Sequence, residues 1–313
     1  MIRPLGRVGA IALNTYRESV RARILIGLAG VALAVSLYSL VVGAYTLRNA
    51  PRVVSDLGTA AISAFGIIVA VVIGATSLHR ELDQKTIFPI LARPIARHEY
   101  LVGKYLGTML VMAVFVAAYA GVVLLLAALM GDRAPGLVVG LGLGAVAVFG
   151  IAAWRVPPVR TYGPIALAVV LLVLGVVLAG VAPLERRFIL GSASLALLEI
   201  GIVTAIATLF SAFSSPFLSA LLTLMLVGVG RNADALARLP EKFFGKPIHD
   251  AGVFLSKVVP NLHLYVAPRP LLTGEALDAD TPRYLALAAA NALGWTVVLL
   301  AAAAVIFRRR DFT

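Results

Sequence analysis

Two groups of residues in this 313-residue chain have types and spacing that could do chemistry. The first is the run HRELDQKTIFPILARPIARHEYLVGKYLG, residues 79–107, set between long apolar segments. Arg80, Glu81, Asp83 and Lys85 open it, and Arg93, Arg97, His98 and Glu99 follow. Between them Ile87, Phe88, Ile90 and Leu91 form an apolar knob punctuated by Pro89 and Pro94, which rule out one straight helix. The pattern fits a short helix, a bend and a second helix. An apolar tip ringed by charge suits a groove on a partner protein. It equally suits a solvated loop anchored at lipid headgroups. The second is Glu199, in SLALLEIGIVTAI, a lone carboxylate deep in an apolar segment. Such a group is costly in lipid and serves substrate contact, proton relay or an interhelical bond. A structural hydrogen bond to a Ser, Thr or Tyr of a neighbouring span would also satisfy it.

Other chemistry finds no support. A phosphate-cradling loop needs G-x-x-x-x-G-K-[ST], and the Gly-Lys pairs at 103–104 and 245–246 are followed by Tyr and Pro. No H-E-x-x-H or G-x-S-x-G occurs. There is no cysteine, so thiol catalysis, disulfides and cysteine metal sites are excluded. His249, His263 and Asp250 match no standard ligand spacing, and no metal or other cofactor is expected.

The elements that must position these residues are membrane spans. Hydrophobic residues make up 61% of the chain and charged ones 13%, too greasy a balance for a water-soluble domain of this length. Roughly 20 apolar residues cross the hydrocarbon. Segments 24–46, 57–78, 105–130, 188–210, 216–230 and 284–307 qualify, with a further pair at 137–153 and 164–182. The run starting at Ile24 is too long for a signal-peptide core and reads as a retained first span. Gly136, Gly140 and Gly144 lie at a spacing that lets another helix approach, or simply reflect a Gly-rich composition. Trp154 resembles a headgroup anchor, and Trp295 a packing residue.

Basic residues orient the spans. Segments 1–23, 79–104, 154–163 and 308–313 carry 5, 5, 2 and 3 Lys/Arg, which places them and both termini in the cytoplasm. The net charge of +12 then reflects membrane topology rather than nucleic-acid binding. Segment 231–283, broken by Pro240, Pro247, Pro260, Pro268 and Pro270, falls outside and lies against the outer ends of the spans. Val253, Phe254, Val258 and Val259 could form one apolar face of a short helix there.

The stretch from Glu81 to Gly107 resembles the loop between spans two and three of the ABC-2 type permeases. It is most similar to the branch described as permeases for multicopper-enzyme maturation, or NosY-like. The matching positions are Glu81, Lys85, Thr86, Ile87, Leu91, Arg93, Pro94, Arg97, Glu99, Tyr100, Gly103 and Lys104. NTYRESVRAR before span one, SAFSSP between two spans, VVPNLHLYV and the closing FRRRDF are also similar to the family. The likeness breaks at 131–183, where the usual six-span plan has a short link.

The resemblance implies an all-α polytopic membrane protein, an ABC-2 (type V-like) exporter transmembrane domain of about eight spans, six plus an inserted pair. Residues 1–23 would form a cytoplasmic amphipathic interface helix, and 24–313 one transmembrane domain with coupling loop 79–104, inserted hairpin 131–183 and extracytoplasmic segment 231–283. Glu81, Thr86, Ile87, Phe88, Ile90, Leu91, Arg93 and Arg97 would couple to a cytoplasmic ABC ATPase dimer. ATP and Mg would bind there, and this chain would be no enzyme. Its other implied partners are a second permease copy (identical or paralogous), membrane lipid and an extracytoplasmic accessory protein, and its place is the cytoplasmic (inner) membrane. The alternative is a secondary transporter or channel, a class that normally needs broken helices and several midplane polar groups. Glu199 is the sequence feature in its favour.

The absence of cysteine makes topology testable by single-cysteine labelling. Probes at Asp132, Glu185 and Asp278 should react from outside, and probes at Arg97, Arg160 and Asp311 should not. Outside labelling at 160 alone would remove the extra pair of spans. Outside labelling at 97 would overturn the orientation.

Overall fold

The structure, a computed structural model, describes residues 4–21, 23–46, 49–83, 96–131, 134–275 and 280–309. Its helices are α1 (Pro4–Arg21), α2 (Arg23–Ala44), α3 (Ala50–Asp83), α4 (Arg97–Met130), α5 (Pro135–Arg155), α6 (Pro157–Leu178) and α7 (Pro183–Ser211). They continue with α8 (Pro216–Arg231), α9 (Ala233–Ala237), α10 (Glu241–Phe244), α11 (Lys246–Val258), α12 (Arg269–Thr273) and α13 (Thr281–Arg309). Single 3-10 turns lie at Ala179–Val181 and Leu262–Tyr265, and no strand occurs among the described residues. Among the described residues six helices, α3 to α7 and α13, are long and apolar enough to cross a membrane. Shorter apolar helical stretches lie at Ala29–Ala44 and Pro216–Arg231. All eight predicted segments are therefore helical, and the pair expected at 137–153 and 164–182 forms two helices of spanning length, α5 and α6.

Proline sets several of the starts. α5, α6, α7 and α8 each carry Pro in the first turn, where its missing N–H costs no hydrogen bond and its fixed φ suits a helix. Close approaches give the relative directions. Gly66 faces Ile200 and Gly74 faces Ala207, so α3 and α7 run parallel. Gly121 faces Leu171 and Gly131 faces Val181, so α4 and α6 also run parallel. At one end of the bundle Tyr100, Leu101, Ala212 and Phe307 cluster with Ile11 of α1. Ser55, Glu185 and Arg269 meet at the other end, the far face.

Lipid tails are as apolar as leucine, so small residues and interhelical hydrogen bonds must hold such a bundle. The Tyr119 hydroxyl of α4 donates to the Ala32 carbonyl of α2 at 2.5 Å and accepts from Ser36 at 2.5 Å. Tyr105 donates to the Gly201 carbonyl of α7 at 3.3 Å. α1 lies along the start of α4, where Gly103 and Gly107 leave room for Ile11, Ala12 and Thr15. Burial, and secondarily the Tyr162 phenol, push the pKa of Tyr16 on α1 upward, which keeps it neutral.

Three expectations need correction. The second helix that the pattern of 79–107 fits is present and runs into the third span from Arg97, but Lys104, assigned to the loop 79–104, is drawn into the bundle at 6% exposure. Of the four residues expected on one face, Phe254 and Val258 lie on the exposed side of α11, whereas Val253 turns off it. Val259 lies beyond the helix and is buried. Gly136, Gly140 and Gly144 face open space, so no helix among the described residues uses that stripe.

The close approach falls instead on Gly121 and Gly175. A Cβ on Gly121 would sit 2.5 Å from the Leu171 carbonyl carbon, and one on Gly175 2.7 Å from the Gly121 oxygen. Backbone cannot give way as a side chain can. Gly121→Val should therefore cost about 1–3 kcal/mol, visible as a lower Tm of the detergent-solubilised protein. Gly140→Val should leave Tm unchanged. Equal effects would refute this packing.

Candidate functional site

α8 is the short helix of the bundle. Its 16 residues rise about 24 Å, less than the roughly 30 Å of hydrocarbon. It ends at Arg231, level with Glu199, which lies about 18 Å along α7 from the Ser211 end. The guanidinium grips the carboxylate with two bonds: Nε to Oε1 at 2.7 Å and Nη2 to Oε2 at 2.9 Å. Ser63 of α3 donates to Oε2 at 3.1 Å and accepts from Nη2 at 2.5 Å. Three helices thus meet on one charge pair.

The arrangement satisfies the helix end as well as the carboxylate. A helix C-terminus exposes carbonyls and carries partial negative charge, so a cation there is favourable. The Asn232 side chain donates to the Gly228 carbonyl at 2.8 Å and occupies another of those acceptors. Glu199 is 1% exposed, whereas the Arg231 side chain is 35% exposed. The carboxylate depends on its partners, while the guanidinium keeps access to the surroundings. After α8 the chain makes three short helices and returns to the bundle. The Gly230 position has no room for a side chain, because the Pro260 carbonyl would lie 2.7 Å from its Cβ. Tyr265 then donates to Asn291 of α13 at 3.0 Å.

A second charged cluster closes the far face. Arg269, opening α12, pairs with Asp56 of α3 at 2.5 Å and with Glu185 of α7, which also accepts from Ser55. Its guanidinium lies 4.3 Å from the centre of the Phe188 ring. Beside it a cleft of about 540 Å³ is lined by Asn49, Arg52, Glu185, Thr273 and Glu275 among others. The cluster pins the segment after α8 to the two helices that frame the Glu199 site.

The face that carries α1 holds what is described of the expected coupling residues. Arg97 opens α4 and donates to the Phe307 and Arg308 carbonyls at 3.2 and 2.9 Å, a cation on the carbonyl end of α13. Arg7 of α1 lies 3.7 Å from Glu99. Glu81 lies on α3, and its side chain is outside the described residues. Thr86, Ile87, Phe88, Ile90, Leu91 and Arg93 also fall outside them. Glu199 and Arg97 are therefore not one site. Glu199 lies mid-bundle, and Arg97 lies at one end.

Residues 12–312 match the family model described as ABC-2 family transporter protein. The chain belongs to that family. Among curated proteins none matches it. For an ABC-2 family membrane protein, the six long apolar helices are the transmembrane apparatus.

Sequence reasoning singled out Glu199 and missed its partner. Arg231 follows the apolar run 216–230 directly, so counting residues assigns it to the outer segment. The run's length, short of a full crossing, is the signal that could have placed Arg231 at depth. Arg269, Asp56 and Glu185, far apart in sequence, carried no signal. His249, weighed with Asp250 and His263 as a metal ligand, has its Nδ1 2.7 Å from the Leu239 carbonyl oxygen.

The exposure difference predicts unequal mutants. Arg231→Leu strands an inaccessible carboxylate and should cost on the order of 3–5 kcal/mol. Glu199→Leu leaves the half-exposed guanidinium able to find water or headgroups, so the loss should be smaller. Glu199→Gln, which keeps the hydrogen bonds, should assemble normally. Thermal unfolding in detergent orders the three, and a Glu199→Leu variant less stable than Arg231→Leu would contradict the burial argument.

Proposed function

We propose that this chain is the membrane-spanning subunit of an ATP-driven ABC-2 exporter of the inner membrane, both termini cytoplasmic. The observation that carries the proposal is the family match over residues 12–312 of a chain without a nucleotide-binding loop. ATP and Mg would therefore bind a separate cytoplasmic ATPase dimer. The permease would act as a pair with an identical or paralogous copy. Residues 84–96 follow α3, and α4 begins right after them, so a push there reaches two long helices at once. The knob Ile87, Phe88, Ile90 and Leu91 would seat in an ATPase groove, with Glu81, Thr86, Arg93 and Arg97 around it. The bonds from Arg97 to the end of α13 support this reading, because they tie the loop's exit to the last span. Similarity of 79–107 to the multicopper-enzyme-maturation permeases suggests that branch, with cargo handed to an extracytoplasmic accessory protein.

One observation favours a secondary transporter: a short helix ending on an intramembrane ion pair resembles the broken helices of that class. Family membership weighs against it.

The knob sets the test. Burying a large aromatic is worth about 1.5–3 kcal/mol, or on the order of ten- to hundredfold in affinity. Phe88→Asp should release the ATPase in a pull-down while the permease still inserts. Arg93→Ala and Arg97→Ala should weaken capture less and in a salt-sensitive way. Full capture by Phe88→Asp, with large losses for the arginine variants, would indicate a headgroup loop instead.

A further inference from the structure

The short helices after α8 carry an apolar surface that the bundle does not use. Residues step about 100° around a helix, so in α11 Pro247, Ile248, Ala251, Phe254, Leu255 and Val258 share one arc. All six are exposed, Phe254 at 64%. Phe243 of α10, 84% exposed, adds to the same apolar material. The helix docks on its own chain by the other edge. There Gly252 leaves room for the Leu236 carbonyl, which would lie 2.6 Å from a Cβ, and His249 meets the Leu239 carbonyl. An amphipathic helix on a water-facing surface turns its apolar side toward the protein. This one turns it away.

Depth and charge identify what covers the arc. The segment leaves the bundle at Arg231, level with Glu199, and re-enters where Tyr265 bonds the Ala288 carbonyl and Asn291. Ala288 lies about 10 Å inside the start of α13. α9 to α11 therefore hang between two anchor points that both sit below the far face. Arg238, Lys242, Lys246 and Lys257 are exposed on these turns, and none makes an ion pair among the described residues. Asp234, Glu241 and Asp250 are the acids of the same stretch, which leaves it net positive by one. Lys246 and Lys257 fall on one edge, with Asp250 between them and Phe254. Apolar residues below and ammonium groups above is the arrangement of a helix lying in a phospholipid leaflet.

We propose that α10 and α11 form a lipid-reading element in the leaflet away from α1. The apolar arc enters the acyl region, and Arg238, Lys242, Lys246 and Lys257 hold the phosphates of anionic phospholipids. The proposal goes beyond the transport reading and requires only that the bundle is membrane-embedded.

The cysteine-free chain allows a direct test. The full-length protein is placed in bilayers of phosphatidylcholine with or without phosphatidylglycerol, with bimane on Phe254→Cys or on Lys257→Cys. Lipids brominated on the acyl chain should quench the probe at 254 and spare the one at 257, with aqueous iodide doing the reverse. Lipid co-purifying with the wild type should be enriched in phosphatidylglycerol. Each of Lys242→Gln, Lys246→Gln and Lys257→Gln should lower that enrichment about fivefold, and Asp250→Asn should raise it. Iodide quenching at 254 would put the arc in water, and a disulfide between two copies at 254 would make the occupant a second chain. Enrichment unchanged in both the lysine and the Asp250 variants would show that the element does not read lipid charge. Any of the three outcomes overturns the proposal.

Discussion

A carboxylate held away from water must be neutralised where it sits, and that requirement at Glu199 organises this bundle. The partner it uses, Arg231, is the last residue of α8. The helix that supplies the cation therefore stops inside the bundle. Its open carbonyl end is tolerable there because Arg231 and Asn232 cover it. Irregular backbone at membrane depth survives only against protein or a polar cavity. Here the Pro260 carbonyl packs on Gly230 and Tyr265 bonds to α13. The fold of 232–265 is thus a consequence of where one ion pair sits.

The remaining cohesion comes from near-contact of backbones and from hydroxyls. α6 reaches α4 through Gly121 and Gly175, and α5 joins the bundle mainly through α6, with its glycine stripe unused. The pair α5 and α6 also touches α1, where the Arg17 guanidinium donates to the Tyr162 hydroxyl and lies 5.4 Å from its ring centre. By holding α1 from one side while Gly103 and Gly107 hold it from another, the pair fixes the position of that helix.

Much of this was legible in sequence because membrane spans are written in simple terms. Apolar length located all eight segments that it proposed as spans. The rest depended on who meets whom. Arg231 reads as an outer-loop cation until the shortness of α8 is taken as depth. Lys104 reads as the end of a cytoplasmic loop because its charge closes the segment 79–104, and no local pattern shows that the helix leading into the third span is already packed in the bundle there. The Arg269 cluster joins residues on three separate helices, and no local pattern encodes such a meeting. The face of α11 was misassigned by grouping apolar neighbours instead of following the helical period, which moves Val253 off the arc and brings in Ile248 and Leu255.

One helix touches all three charged layers. α3 carries Ser55 and Asp56 at the far face and Ser63 at the buried pair, and it ends at Asp83, just before the segment 84–96. Its 34 residues make a rod of about 51 Å. No proline interrupts it after Pro51, so it has no obvious hinge. α7 runs parallel to it and supplies the carboxylates Glu185 and Glu199 to the same two layers. If the end of α3 moved relative to α7, Ser63 would slide along Glu199 and Asp56 would shift against the Arg269 that Glu185 also holds. Both layers would have to re-form in register. An ion pair shared by three helices resists partial displacement and permits a change between discrete pairings. The position of Ser63 therefore makes the Glu199 pair the place where a movement at one membrane face would be felt at the other.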